Sequence, residues 1–141
     1  MDPNGALRIV LDTNVFVSGV FFGGPPGKIL EAWRDARVRP VLSAEILEEY
    51  QRVGVELKGR YAGVDLEPFL ALLGVHAEFV EAPALKEPVA ADPDDDKFLA
   101  CALAAGVLLI VSGDRDLLEQ SGWRSIRVLK PRAFVDEYLH G

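Results

Sequence analysis

Four acidic side chains lie where a predicted strand gives way to a turn, or in a predicted helix. Asp12 follows the apolar run 7–11 and Asp114 follows the apolar run 107–111, whereas Glu49 and Asp96 belong to helices. In an open α/β sheet the carboxyl ends of the strands form the floor of the ligand crevice. Carboxylates gathered there repel one another, and a hard divalent cation that prefers oxygen ligands removes that cost. The four acids therefore predict a site for Mg²⁺ or Mn²⁺ and a metal-dependent enzyme.

Each of these acids also has an ordinary structural explanation. Asp12 could cap the helix that begins near Asn14, and the helix dipole favours an acid such as Asp96 in a first turn. Most glutamates on an amphipathic helix, such as Glu49, are merely solvated. Asp114 lies in a glycine-containing turn, where aspartate is common. Each acid alone is weak support for a metal site, and the agreement of four topological positions is the stronger indication.

Other catalytic groups have less support in the sequence. His76 lies in a predicted strand and His140 lies near the end of the chain, so no histidine base or zinc pair is apparent. Cys101 lies in an apolar helix and is expected to be a small core residue. No glycine-rich loop follows the first strand, so a Rossmann or P-loop nucleotide site lacks its donor groups.

Hydrophobic periodicity and turn residues predict strands that alternate with helices. Strands are predicted at residues 7–11, 38–42, 75–80, 107–111 and 125–129. Helices are predicted at residues 14–22, 26–36, 43–55, 66–73, 94–105, 116–120 and 131–139. This alternation predicts a three-layer α/β/α fold with a mainly parallel sheet and helices on both faces. With no repeat or long linker, we expect one domain over residues 1–141.

Composition limits the class of protein. The 141 residues are 50% hydrophobic, which is enough for a core, and no apolar run approaches the ~20 residues that a membrane span needs. The first five residues lack the basic and apolar regions of a signal peptide. The single cysteine excludes an internal disulfide framework and suits a reducing compartment. We therefore expect a cytoplasmic protein with no membrane partner.

The formal net charge of −7 argues against a general nucleic-acid binder, which would normally be basic. However, cations bound at an acidic site would cancel part of that charge. Basic residues also cluster in two segments, which contain Arg34, Arg37 and Arg39, and Arg124, Arg127, Lys130 and Arg132. Net charge alone therefore does not decide the partner.

The four segments that contain Asp12, Glu49, Asp96 and Asp114, in this order and in a chain of this size, resemble the PIN-domain family of Mg²⁺/Mn²⁺-dependent ribonucleases. The most specific pieces of the resemblance are residues 10–14 (VLDTN), residues 92–96 (DPDDD) leading into an alanine-rich helix, and residues 111–117 (VSGDRDL). The likeness extends over residues 7–138. The loop at residues 23–27 (GGPPG) and the helix start at residues 42–43 resemble a branch with VapC-like toxins of toxin–antitoxin pairs. The resemblance thus implies an RNA substrate, a cognate antitoxin protein and a homodimer.

The resemblance also implies which residues bind the metal and carry out catalysis, namely Asp12, Glu49, Asp96 and Asp114. Glu49 is chosen over its neighbours because it lies six residues after the helix-capping serine and precedes an aromatic residue. Asn14, Ser112 and Asp116 are expected to lie behind these acids and to orient them or the phosphate. Ser112 stands where the family often has threonine, which keeps the hydroxyl group.

The family's sheet order, 3-2-1-4-5, would place Asp12 and Asp114 on adjacent strands at the point where the strand order reverses. One or two metal ions would polarise the scissile phosphate, lower the pKa of an attacking water and stabilise charge on the leaving oxygen. No side chain is then needed as a nucleophile. The resemblance therefore predicts an endoribonuclease that hydrolyses RNA phosphodiester bonds.

Two other classes of protein remain as alternatives. A catalytically weak PIN-like module that binds RNA or protein would be expected to lack one of the four acids, and all four are present. A phosphoryl-transfer domain would need other groups: receiver domains have paired acids after the first strand, and haloacid-dehalogenase-like phosphatases have a second aspartate where this chain has Asn14. We therefore predict the endoribonuclease, with the PIN-like binding module as the alternative.

Overall fold

A parallel sheet of five strands forms the centre of the protein, in the order β3-β2-β1-β4-β5. This computed structural model describes residues 5–139, so residues 1–4 and 140–141, including His140, lie outside the described residues. The strands are β1 (Leu7–Leu11), β2 (Val38–Leu42), β3 (Glu78–Phe79), β4 (Leu109–Val111) and β5 (Arg127–Leu129). The sheet confirms the predicted parallel arrangement and the order 3-2-1-4-5.

Helices cover both faces of the sheet, which confirms the predicted three layers. They are α1 (Thr13–Phe21), α2 (Gly24–Arg34), α3 (Ala44–Arg60), α4 (Glu67–His76), α5 (Asp96–Ala105), α6 (Arg115–Leu118) and α7 (Pro131–Phe134). A 3₁₀ turn at Pro93–Asp95 precedes α5, and a π-helical turn at Val135–Leu139 follows α7. In the described part of the chain, no helix combines the length and the apolar character needed to cross a membrane.

The central strands are apolar because both of their faces are covered. Val10 pairs with Ile110 and Leu11 pairs with Val111 in parallel register. All four side chains are buried, and the backbone N–H of Asp12 donates a hydrogen bond to the carbonyl oxygen of Val111 at 3.0 Å. The carboxyl ends of β1 and β4 therefore lie side by side at the point where the strand order reverses.

Helix α3 is longer than the sequence predicts and continues through both of its glycines to Arg60. Ser43 caps it as predicted, since its Oγ accepts a hydrogen bond from the backbone N–H of Ile46 at 3.4 Å. Gly54 is buried, and an ideal Cβ there would lie 2.4 Å from Cδ2 of Leu66. The glycine therefore serves close packing against Leu66 and does not end the helix.

Several other predicted boundaries are wrong. The third strand covers only Glu78–Phe79, because α4 continues to His76, which the alternating pattern had placed in the strand. Most of the predicted loop at residues 23–27 forms the first turn of α2, where prolines fit because the first N–H groups of a helix need no intrahelical partner. Strands β4 and β5 begin two residues later than predicted.

Gly19 allows α1 and α2 to pack closely. An ideal Cβ at this position would lie 2.7 Å from Cδ1 of Leu30 and 2.9 Å from the carbonyl oxygen of Pro26. We expect Gly19→Ala to lower the free energy of unfolding by about 1–3 kcal/mol because the two helices must move apart. Gly59→Ala is the matched control in α3, where no atom lies within 4 Å, and should raise it by about 0.5–1 kcal/mol. Urea denaturation measures both, and a Gly19→Ala protein as stable as the wild type would contradict this packing.

Candidate active site

Asp12 is a buried carboxylate at the end of β1, with only 5% of its surface exposed. Its Oδ2 accepts a hydrogen bond from the hydroxyl of Ser112 at 2.6 Å. Burial raises the pKa of Asp12, the hydrogen bonds from Ser112 and from the backbone of Asn14 lower it, and the charges of Asp114 and Glu49 raise it again, with a net upward shift. Asp12 is therefore held in a fixed orientation among other acids.

Ser112 links the ends of the two central strands. While its hydroxyl donates to Asp12, its Oγ accepts a hydrogen bond from the backbone N–H of Asp114 at 2.9 Å. The side chain of Ser112 is completely buried. Ser112 thus contacts both Asp12 and the backbone at Asp114, and its role in orienting the acids stays a prediction.

Asp95, Asp114 and Asp116 form a compact acidic cluster, which we call the three-aspartate cluster. One carboxylate oxygen from each residue lies within 4.8 Å of the others, and all three residues are half-buried. Oδ2 of Asp95 is buried without a hydrogen-bond partner among the described residues. Burial and then the adjacent carboxylate of Asp114, with Asp12 and Asp92, raise the pKa of Asp95 to about 8. A bound cation would offset the mutual repulsion of these carboxylates.

Asp96 is not a member of the three-aspartate cluster. As the first residue of α5, it accepts hydrogen bonds on its two carboxylate oxygens from the backbone N–H groups of Val89, at 3.1 Å, and Ala90, at 2.8 Å. With Leu85 and Lys97 it also lines a pocket of about 280 Å³. The structure therefore does not bring Asp96 into the three-aspartate cluster. Its predicted role as a metal ligand stays a prediction, and the geometry favours Asp95 for that position.

Glu49 lies beside the N-terminus of α1. Its Oε2 accepts hydrogen bonds from the hydroxyl of Thr13 at 2.7 Å and from Nζ of Lys97 at 3.1 Å, and Nζ of Lys97 is also 3.3 Å from Oδ1 of Asp94. Burial lowers the pKa of Lys97, but the hydrogen bonds and charges of Glu49 and Asp94 outweigh it and the net shift is upward. Lys97 therefore stays protonated and balances part of the negative charge near the site.

Tyr50, on α3, is hydrogen-bonded to the end of β1. Its hydroxyl donates a hydrogen bond to the carbonyl oxygen of Leu11 at 2.5 Å, and its ring stacks on Phe16 with the centroids 4.4 Å apart. Burial, followed by the charge of Asp12, raises the pKa of Tyr50 well above its usual value, so the hydroxyl keeps its proton. The backbone immediately before Asp12 is thus anchored to α3.

The structure places Asp116 and Asn14, which are both predicted to lie behind the acids, in different surroundings. Asp116, predicted to lie behind the acids, is a member of the three-aspartate cluster, and the side chain of Asn14 is exposed next to Asp12. Sequence reasoning missed Asp95, Thr13 and Lys97. The triple-aspartate run was a signal for Asp95, whereas nothing local in the sequence marks the contacts of Thr13 and Lys97 with Glu49.

Comparison with models of known protein families shows which family this chain belongs to. The model of the PIN domain matches residues 8–116, which include every acid described above. This chain belongs to the PIN-domain family. PIN domains are generally nucleases that use divalent metals, so a nuclease-type function follows from the family. A search of curated proteins found no significant match.

The acids of this PIN domain fit a divalent cation. Oδ2 of Asp95, buried with no partner in the described part of the chain, lies in a cluster whose ligand atoms are all oxygens, as Mg²⁺ and Mn²⁺ prefer. The remaining candidates for catalysis have less support. Burial raises the pKa of Cys101 to about 12, so its thiol is not a reactive nucleophile. His76, at the end of α4, lines a pocket with Val38 and Arg39 at the start of β2, whereas the acids follow the carboxyl ends of β1 and β4.

The raised pKa of Asp95 predicts that the metal-free PIN domain becomes less stable as the pH rises. A folded-state pKa of about 8, against about 3.9 in the unfolded chain, means that stability is lost as the pH rises through this range. Asp95→Asn removes the charge and keeps the size of the side chain. In EDTA, its melting temperature should exceed that of the wild type by a few degrees at pH 8, and by less at pH 5. A difference that does not change with pH would contradict the assigned environment of Asp95.

Proposed function

We propose that this PIN domain is a metal-dependent endoribonuclease that hydrolyses RNA phosphodiester bonds. The observation that carries the proposal is the three-aspartate cluster at the carboxyl ends of β1 and β4, next to the buried Asp12. The crevice at the strand-order reversal is where open α/β sheets bind ligands. Acids gathered at this point have no packing value and are costly without a cation.

The residues of the site have distinct roles. Asp95, Asp114 and Asp116 would hold the cation, and Asp12 would add negative charge from the buried side. When bound, Mg²⁺ or Mn²⁺ supplies a Lewis acid that polarises the phosphate and promotes attack by water. Ser112 fixes the orientation of Asp12 and of the backbone at Asp114. The ammonium group of Lys97, held by Glu49, lowers the net negative charge that an RNA phosphate would meet.

Cleavage of a labelled single-stranded RNA tests the proposal. We expect cleavage in Mn²⁺ or Mg²⁺ and none in excess EDTA, because the acids alone repel the phosphate. Restoring the metal after EDTA treatment should restore cleavage. Binding of the RNA without cleavage under all metal conditions would support the alternative, a catalytically weak PIN-like binding module.

The biological role that we propose is the toxin of a toxin–antitoxin pair. The support is the resemblance of residues 23–27 and 42–43 to that branch of the PIN family, together with membership of the family itself. RNA substrates and the single buried cysteine both suit the cytoplasm. Expression of the wild type in a bacterial host should arrest growth, and expression of Asp114→Asn should not. Equal growth with both would contradict a toxin role.

A homodimer is the assembly that the resemblance implies. Exposed apolar side chains on α3 and α4, among them Val55 and Val75, offer surface for a second copy. Two copies related by a two-fold axis could place two acidic sites along one groove. Light scattering at micromolar concentration tests this: twice the chain mass of 15.4 kDa is expected, and a mass near 15.4 kDa would make the chain a monomer.

A further inference from the structure

Two exposed aromatic rings lie together at a distance from the acids. Phe22 and Tyr61 are the residues that follow the ends of α1 and α3, and they are 60% and 44% exposed. Their rings meet edge to face with centroids 5.1 Å apart, and Phe21 lies 6.3 Å from Tyr61. Aromatic rings that stay exposed to solvent forgo the favourable free energy of apolar burial, so a cluster of them is characteristic of a contact site.

The two helices connect these rings to the site. Thr13, at the start of α1, bonds to Glu49 on α3, and Phe22, at the end of α1, contacts Tyr61 at the end of α3. The helices therefore run side by side in the same direction, from the acids to the rings. Nine helical residues at 1.5 Å each place the rings about 14 Å from the start of α1, which directly follows Asp12. Four stacked nucleotides span about this distance.

The charges around the rings fit a polyanion. The second half of α3, residues 52–60, carries three cations and one anion, a net charge of +2 in a protein whose net charge is −7. Lys58 and Arg60 are exposed and form no ion pair within the part of the chain that the structure describes. The space beside the rings is open, since ideal Cβ atoms at Gly23 and Gly63 would meet no atom within 4 Å. Flat faces, cations and free space are the features of a single-strand binding surface.

We propose that Phe22 and Tyr61 form a stacking platform for unpaired bases of the single-stranded RNA substrate, with Lys58 and Arg60 contacting its phosphates. This rests on the proposed ribonuclease function and deepens it. The platform holds the strand about 14 Å from the start of α1, and the intervening nucleotides lie along α1 and α3. The rings bind any base, because every base has a π-face.

Binding of RNA without metal tests the platform separately from cleavage. The probe is a fluorescein-labelled single-stranded oligouridylate of about 12 nucleotides, measured by anisotropy in EDTA at low salt. Phe22→Leu and Tyr61→Leu keep apolar bulk but lose the flat ring, and each should weaken binding roughly tenfold. Phe22→Tyr and Tyr61→Phe keep the ring and should bind like the wild type. Leu108→Ala, at an exposed apolar residue before β4, is the control and should have no effect.

Cleavage provides the second readout. A dinucleotide is too short to span about 14 Å, so the wild type and the leucine variants should cleave it equally, whereas only the 12-nucleotide substrate should show the difference. If the wild type binds RNA through the rings but does not cleave it, the nuclease proposal fails and the platform stands. If the leucine variants bind RNA like the wild type, the platform is wrong even when cleavage is observed. Loss of dimer formation with RNA binding unchanged would assign the rings to a protein contact and overturn the proposal.

Discussion

Asp12→Asn should lower the rate of RNA cleavage by on the order of 100-fold or more. Asparagine keeps the size of the side chain and can still accept the hydrogen bond from Ser112, so only the charge is lost. That charge lies on the buried side of the three-aspartate cluster and would hold or polarise the bound cation. The measurement is kcat/KM on a labelled single-stranded RNA in Mn²⁺.

The matched control is Asp136→Asn, which makes the same change at an exposed residue beyond α7 and should leave cleavage unchanged. Melting curves of both variants establish that they fold. Removal of a buried charge should not destabilise the metal-free protein, because burial raises the pKa of Asp12. Full activity of purified Asp12→Asn, with contaminating nuclease excluded, would remove Asp12 from the site.

Substitutions at two neighbouring aspartates should affect the Mn²⁺ affinity, measured by calorimetry, to very different extents. Asp95→Asn should lower the Mn²⁺ affinity by roughly 10- to 100-fold, since it removes an acid whose buried oxygen has no hydrogen-bond partner within residues 5–139. Asp96→Asn should bind Mn²⁺ almost as well as the wild type. It should instead lower the free energy of unfolding by about 1–3 kcal/mol, because the carboxylate no longer receives both N–H groups from Val89 and Ala90.

These two variants are controls for each other, because they make the same change one residue apart. The opposite result, with Mn²⁺ affinity lost in Asp96→Asn and kept in Asp95→Asn, would return the ligand role to Asp96. The side chain of Asp96 would then have to leave the backbone of residues 89–90 when the metal binds.

The fold could be predicted from the sequence largely because of its central strands. β1 and β2 have the predicted bounds, since strands covered on both faces appear as short apolar runs that end at polar residues. β3 could not be predicted well. It is an edge strand of two residues, and the alternating pattern around it also suits the last turn of α4.

The site could be predicted at its strand ends but not at its helix ends. The positions of Asp12 and Asp114 follow from the topology, which places any residue after β1 beside any residue after β4. Which aspartate of the triple run faces the cluster depends on where the 3₁₀ turn ends and α5 begins, a boundary that sequence patterns locate only to within a few residues. The contact of Lys97 with Glu49 joins residues 48 positions apart and depends on packing.

Diffraction from crystals soaked in Mn²⁺ tests the central claim, that the three-aspartate cluster holds the divalent cation. Mn²⁺ scatters anomalously, so its position is measured independently of any assumption about the ligands. We expect an anomalous peak at bonding distance from the carboxylates of Asp95 and Asp114, with Asp116 close by. The absence of a peak there, or a peak on the side of Asp96 that faces residues 89–90, would contradict the account.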